Sequence, residues 1–184
     1  MHIFLLNPSF LSQYGKFSRE QRSPAITKSG TLYYPMWLSY ATGVLEKNDF
    51  HTTLFDCPAD NIQISDIELF IRNHKPRLVV IDTSTPSIYA DMQMGGIIKS
   101  INPDTFIVLV GPHVSALPED TLNCSQDVDA VAIHEYEYTL LDLAHALKNG
   151  TDWRGIPGLC YQVNGKIIRN PRENLLRIWT PYLL

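Results

Sequence analysis

The run Leu78-Val79-Val80-Ile81, followed at once by Asp82-Thr83-Ser84-Thr85-Pro86 (LVVIDTSTP, residues 78–86), decides the fold. A short unbroken apolar run has both faces covered, which is the mark of a strand inside a parallel sheet, and the small polar residues after it mark the strand's carboxyl end. The same signature recurs on either side. Ile3-Phe4-Leu5-Leu6 precedes Asn7-Pro8-Ser9, Thr52-Thr53-Leu54-Phe55 precedes Asp56-Cys57-Pro58, Phe106-Ile107-Val108-Leu109-Val110 precedes Gly111-Pro112-His113, and VDAVAI at 128–133 precedes His134-Glu135-Tyr136-Glu137. Helical periods separate these runs. Trp37, Tyr40, Ala41 and Val44 fall at i, i+3, i+4 and i+7, as do Met94, Ile97, Ile98 and Ile101, and Leu140, Leu143, Ala144 and Leu147. Each set predicts an amphipathic helix with one buried stripe, and Ile64 to Ile71 repeats the pattern more weakly. Asn102-Pro103 and Asn149-Gly150 supply helix stops. The alternation predicts an α/β fold: a Rossmann-like, flavodoxin-like, doubly wound, five-stranded parallel sheet over residues 1–150.

After Gly150 the pattern changes. Asn164-Gly165 lies between two β-prone runs in GLCYQVNGKIIRN (158–170), a strong hairpin signal, so residues 151–184 read as a C-terminal β-hairpin appendage and the start of a linker. The stretch from Pro171 to Leu184 has no clear period, as expected of a domain cut from a downstream neighbour.

Composition bounds the partners. The chain has 184 residues, 45% of them hydrophobic and 18% charged, so a domain of this size buries roughly 70% of its unfolded surface without disulfides or a structural metal. Fifteen basic and nineteen acidic residues give a net charge of −4 with no basic run, which disfavours a nucleic-acid partner. Cys57, Cys124 and Cys160 are odd in number and widely spaced, fitting neither a disulfide framework nor paired zinc ligands; they read as reduced thiols. The apolar part of MHIFLLNPSF is too short for a signal peptide or a transmembrane segment. A cytoplasmic location is expected.

Ligands of doubly wound sheets bind beyond the carboxyl ends of the strands, so the residues after each run form the candidate rim. That rim is rich in small hydroxyls, glycine and neutral histidine and reads as poor in fixed charge, which suits a large amide-decorated ligand. No G-x-G-x-x-G follows the first strand and no G-x-x-x-x-G-K-[ST] occurs, so a pyrophosphate cradle is missing. Asp82 stands where a phosphoacceptor domain carries its aspartate. That chemistry also needs an acidic pair after the first strand and a lysine after the fifth, where this chain has Asn7-Pro8 and His134. The loop from Pro8 to Tyr33 is long enough to need a function.

The rim residues carry a resemblance. NPS after the first strand, Tyr34-Pro35 opening the first helix in YYPMWLSYATGVLEKNDF, STPS after the third strand, VGPHVSALPED after the fourth and HEYEYTLLDL after the fifth together resemble the N-terminal cobalamin-binding domain of the cobalamin-dependent radical S-adenosylmethionine enzymes, of tetrapyrrole cyclase and methyltransferase type. IPGLCYQVNGKIIRNPR resembles the connector after that domain in the family.

The resemblance implies bound cobalamin, with S-adenosylmethionine and a [4Fe–4S] cluster confined to a downstream barrel domain. The three cysteines here do not form that family's C-x-x-x-C-x-x-C motif, so the chain resembles the non-catalytic, cofactor-holding part of a methyltransferase or an oxidative cyclase acting by methyl transfer or cobalt-assisted redox chemistry. It implies Ser9, Tyr34, Thr83, Ser84, Thr85, Gly111, Pro112, His113, His134, Glu135, Tyr136 and Glu137 as cofactor-binding residues, with Ser84 and Thr85 bonding the nucleotide tail or propionamides and Gly111 allowing close approach. Aromatics of the long loop, Phe10, Tyr14, Phe17, Tyr33 and Tyr34, would cover the macrocycle. NPSFLSQYGKF lacks the D-x-H-x-x-G that gives cobalt an imidazole, which implies a His-off cofactor with no protein metal ligand. Val110 and His134 stand where that family commonly has glycine.

Plainer roles remain open for the same residues. His113 and His134 fit structural histidines, as do His51 and His74, which are remote from the rim. Thr83 to Ser87 fits a helix cap, Asp56 and Asp82 fit turn caps, Met92 and Met94 fit core filler, and the loop aromatics fit a lid or an interface with a further domain. A cofactor-free docking or scaffold domain and a flavodoxin-like domain for another small ligand such as a flavin stand as alternatives.

Overall fold

The computed structural model describes residues 1–20 and 23–171. Strand β1 (His2–Asn7) is followed by a small antiparallel ribbon, β2 (Lys16–Ser18) with β3 (Ala25–Thr27), so the long loop has structure of its own. Then come α1 (Met36–Lys47), β4 (His51–Asp56), α2 (Cys57–Asp60), α3 (Ile64–His74), β5 (Leu78–Asp82) and α4 (Ile88–Ile101). The chain continues through β6 (Phe106–Val110), α5 (Pro112–Ala116), α6 (Pro118–Cys124), β7 (Ala130–Ala132), α7 (Glu137–Asn149), β8 (Leu159–Val163) and β9 (Lys166–Arg169).

The main sheet runs β4-β1-β5-β6-β7-β8-β9, its first five strands parallel and its last two antiparallel. In chain order the parallel strands stand 2-1-3-4-5, the flavodoxin-like order, which reverses between β1 and β5. The hairpin is in place, with Asn164 and Gly165 both at positive φ (50° and 73°), as a two-residue primed turn requires. It lies edge-on: β8 pairs with β7, so the appendage extends the sheet to seven strands.

Alternate residues of the central strands feed two cores. Ile3, Leu5, Val80, Val108 and Val110 pack with Leu38, Ala41 and Leu45 of α1 and Leu140, Leu143 and Ala144 of α7. Phe4, Leu6, Val79, Ile81, Ile107 and Leu109 pack on the other face with Ile67, Ile71, Met92, Met94, Ile98 and Leu122. Burial of each such side chain is worth about 1.5–3 kcal/mol. The buried stripe of α1 is Leu38, Ala41, Leu45, one residue away from the expected one; Trp37 and Tyr40 are half exposed. Both registers fit a helical period, and the aromatic one faces outward. The strand expected over 128–133 is ladder-bonded only at Ala130–Ala132.

At the amino end of the sheet, away from the rim, His2 and His74 pack on Phe70 and on each other, and the His2 and His51 ring centroids are 4.2 Å apart. Among the described residues no His, Cys, Asp or Glu group is placed to hold a metal ion, and no helix is long and apolar enough to cross a membrane.

Candidate functional site

A cleft of about 380 Å³ opens at the carboxyl ends of β5, β6 and β7. Asp82 and Thr83 form its floor, Gly111, Pro112 and Ser115 one wall, and His134, Glu135, Tyr136 and Glu137 the entrance to α7; Trp37 of α1 and Arg19-Glu20 beyond β2 close it. Strand ends leave backbone groups and polar side chains unspent, and this is why the floor is polar while the strands beneath it are wholly apolar.

Gly111 fixes the spacing of β5 and β6. Its φ is 108°, and a Cβ built there would stand 2.5 Å from the Thr83 carbonyl oxygen and 2.8 Å from Asp82 Oδ1. The glycine is therefore required by the chain's own packing, before any ligand is considered. Thr83 donates its N–H to the Val110 carbonyl (2.9 Å) and to Asp82 Oδ1 (3.0 Å), and its hydroxyl donates to the same Val110 carbonyl (2.6 Å). Across the cleft, Ser115 Oγ donates to the Gly111 carbonyl and accepts the His134 N–H, each at 2.8 Å. His134 sits at φ 63°, the left-handed region that favours glycine. Val110 is fully buried in the core beneath and does not obstruct the cleft.

Arg19 occupies the crevice where strand order reverses. The guanidinium, 5% exposed, donates to Asn7 Oδ1 (2.8 Å), to the Pro8 carbonyl and to Asp91 Oδ1 (2.5 Å), and Asn7 in turn donates to Asp56 Oδ1 (2.9 Å). Its Nε is buried with no partner among the described residues, and Phe17 lies under its plane at 5.2 Å. An arginine stays charged in proteins, so Asp91 is its counterion, held also by the Ser87 hydroxyl at 2.6 Å. The open volume is thereby displaced from the β1/β5 junction toward β5–β7.

The charges correct the expectation of a rim poor in fixed charge: one guanidinium stands among Glu20, Asp82 and Asp91. Burial pushes the Asp82 carboxyl up to about 7, with Glu20 and Asp91 adding to the effect and Arg19 and the Thr83 N–H opposing it. Burial and Asp56 raise Glu20. Burial lowers His113 and lifts Tyr136 well above the ordinary phenol value. Burial, with Asp56 adding to it, pushes the thiol of Cys57, the first residue of α2, up to about 12.

Seven of the expected residues line this cleft: Thr83, Gly111, Pro112, His134, Glu135, Tyr136 and Glu137. The others stand elsewhere. Ser84 is fully buried against Ser87 (Oγ to Oγ 2.7 Å), and Thr85 and His113 bond each other (3.2 Å). Tyr34 is exposed ahead of α1, and Ser9 faces a second hollow of about 390 Å³ with Phe10, Lys16 and Gln63. Arg19, Glu20, Trp37 and Ser115 join the cleft without having been singled out for it, and Asp82, expected on the rim but not among the cofactor-binding residues, joins them. For Asp82 the signal was its place at a strand end; for Arg19 there was none beyond a lone basic residue in a long loop. A third hollow, about 480 Å³, shares His134 with Arg169, Asn170 and Pro171.

Residues 22–144 match the family model described as "B12 binding domain". The chain belongs to the B12-binding domain family. As a B12-binding domain it is 36% identical over 149 residues to an uncharacterized methyltransferase, PH0819, of Pyrococcus horikoshii, covering 80% of this chain and 32% of that protein. It is 28% identical over 144 residues to the anaerobic magnesium-protoporphyrin IX monomethyl ester cyclase of Rubrivivax gelatinosus, covering 76% and 26% respectively. Its fold is shared with the radical S-adenosylmethionine methyltransferase TsrM of Kitasatospora setae, solved with cobalamin and a [4Fe–4S] cluster bound (TM-score 0.73, 19% identity, 95% of this chain and 29% of that one). The B12-binding domain thus spans about a third or less of the length of these relatives.

Proposed function

We propose that this B12-binding domain holds a His-off cobalamin in the cleft above β5–β7, for a radical S-adenosylmethionine domain that carries the [4Fe–4S] cluster and S-adenosylmethionine. The observation that carries the reading is the cleft itself, walled by α1, Gly111 and the α7 entrance and floored by Asp82 and Thr83, in a chain of this family. Its residues suit the group. The volume falls in the small-molecule range, Trp37 offers a half-exposed aromatic face at the mouth, and Ser115, His134 and Tyr136 place hydrogen-bonding groups around the interior, as an amide-bearing ligand needs.

When bound, cobalamin supplies methyl transfer or cobalt-centred redox chemistry. This chain's residues bind and orient. Trp37 covers apolar surface, Ser115 and His134 meet amides at the rim, and the floor around Asp82 and Thr83 receives the tail. With NPSFLSQYGKF after β1 and Arg19 filling the β1/β5 crevice, the chain presents no imidazole there for cobalt.

Hydroxocobalamin added to the purified chain, followed by desalting, tests this. A red protein with a base-off spectrum is expected. A colourless protein would leave the docking or scaffold alternative, and a retained yellow chromophore would point to a flavin.

A further inference from the structure

The cleft floor carries a buried carboxyl group, Asp82. Asp82 ends β5 at 5% exposure, lines the cleft, and has its Oδ1 fixed by the Thr83 N–H at 3.0 Å. Gly111 packs against the same oxygen, since a Cβ there would begin 2.8 Å from Oδ1. With Oδ1 held by the Thr83 N–H, the second carboxyl oxygen, Oδ2, is left for a ligand in the cleft.

The neighbouring charges do not match those of an ionised carboxylate. The groups around Asp82 are Arg19 and Glu20 beyond β2, Asp91 of α4, and Tyr136 and Glu137 at the entrance to α7, with His134 and Glu135 on the rim. Arg19 is committed to Asp91 at 2.5 Å, Glu20 adds like charge, and Tyr136 keeps its proton. One cation therefore serves several carboxyl groups, of which Asp82 and Asp91 are buried, and like charges so placed cannot all ionise near neutral pH.

We infer that Asp82 is a binding and specificity residue of the cleft floor, which in its acid form donates a hydrogen bond from Oδ2 to an oxygen acceptor on the tail of the bound cofactor. This rests on the cobalamin reading above. An ionised carboxylate can only accept, and it repels amide and phosphodiester oxygens alike. Retention is therefore strong while the carboxyl keeps its proton, and it weakens as the pH rises through the value near 7 to which burial lifts this group. Asparagine keeps a donor of the same shape at every pH.

The test is hydroxocobalamin affinity, read by absorbance titration, for the wild-type chain and Asp82→Asn at about pH 6 and about pH 8. The ligand's own titration is common to both proteins and cancels in their ratio. The wild-type affinity is expected to fall by about tenfold relative to Asp82→Asn across that interval, as a single group titrating midway requires. A ratio that does not change with pH overturns the inference and leaves cobalamin binding standing. Absence of binding by the wild type at both pH values overturns both. Infrared difference spectra of the wild type, in the protonated-carboxyl carbonyl region, keep the question decidable should Asp82→Asn fail to fold. A band that shifts on cobalamin binding and disappears at high pH supports the inference, and its absence at about pH 6 overturns it.

Discussion

Arg19 and Asp91 are 72 residues apart in the chain and 2.5 Å apart in the fold, and both are almost wholly sealed from solvent. The pair ties the β2–β3 ribbon to the first turn of α4 and closes the crevice between β1 and β5. Its charges are costly to bury and costlier to separate, because removing one partner strands the other in a medium of low dielectric.

Arg19→Met is therefore expected to destabilise the chain by about 3–5 kcal/mol in urea denaturation. Arg19→Met combined with Asp91→Leu should recover most of that loss. Equal destabilisation by the single and double variants would show that the ribbon is held by other contacts.

Gly111→Ala places a Cβ against the Thr83 carbonyl at 2.5 Å and an alanine at φ 108°. More than about 2 kcal/mol of stability should disappear from the cofactor-free protein, visible as a lowered thermal midpoint by circular dichroism. A midpoint equal to that of the wild type would mean the two strand ends separate easily. His134→Gly acts in the opposite sense. It relieves a left-handed residue and is expected to raise stability by about 0.5–1 kcal/mol, measured in the same way.

Stability should respond to pH at both ends of the sheet with opposite signs. Asp82 has a raised value in the fold, so its contribution is complete below the unfolded value of 3.8 and is lost as the pH rises toward about 7. His2 is lowered to about 4, chiefly by burial and then by His51, His74 and the N-terminal amine. Its contribution is complete above 6.5 and fades as the pH falls toward 4. Unfolding free energies measured from about pH 4 to pH 8 should therefore lose their alkaline decline in Asp82→Asn and part of their acid decline in His2→Gln. Unchanged profiles in both variants would contradict the assignments.

The parallel strands and most of the helices that cover them were legible because unbroken apolar runs and helical periods are dictated by burial alone, as Leu78–Ile81 and Leu140–Leu147 illustrate. Asn164-Gly165 was legible because few dipeptides suit two positive φ values. The buried face of the first helix differs from the expected one by one residue, since Trp37 and Tyr40 satisfy the same period as Leu38, Ala41 and Leu45 and only tertiary packing chooses between them. The cleft was half legible. Residues directly after β6 and β7 could be placed by topology, whereas Arg19 reaches the site from a ribbon whose docking depends on contacts as distant as Asp91. Ser84, Thr85 and His113 are consumed by one another and by Ser87, a partnership that spacing does not disclose.

The β8–β9 hairpin also sets a point of departure. Asn170 donates its N–H to the Leu159 carbonyl (2.9 Å) and its side-chain amide to the Arg154 and Ile156 carbonyls (2.7 Å each), so the backbone is anchored up to Pro171, which shares a hollow with His134. Any polypeptide continuing from that anchor departs beside His134, a residue of the cleft entrance, and tethering at such a point raises the local concentration of whatever is carried there, to roughly millimolar for a short flexible linker.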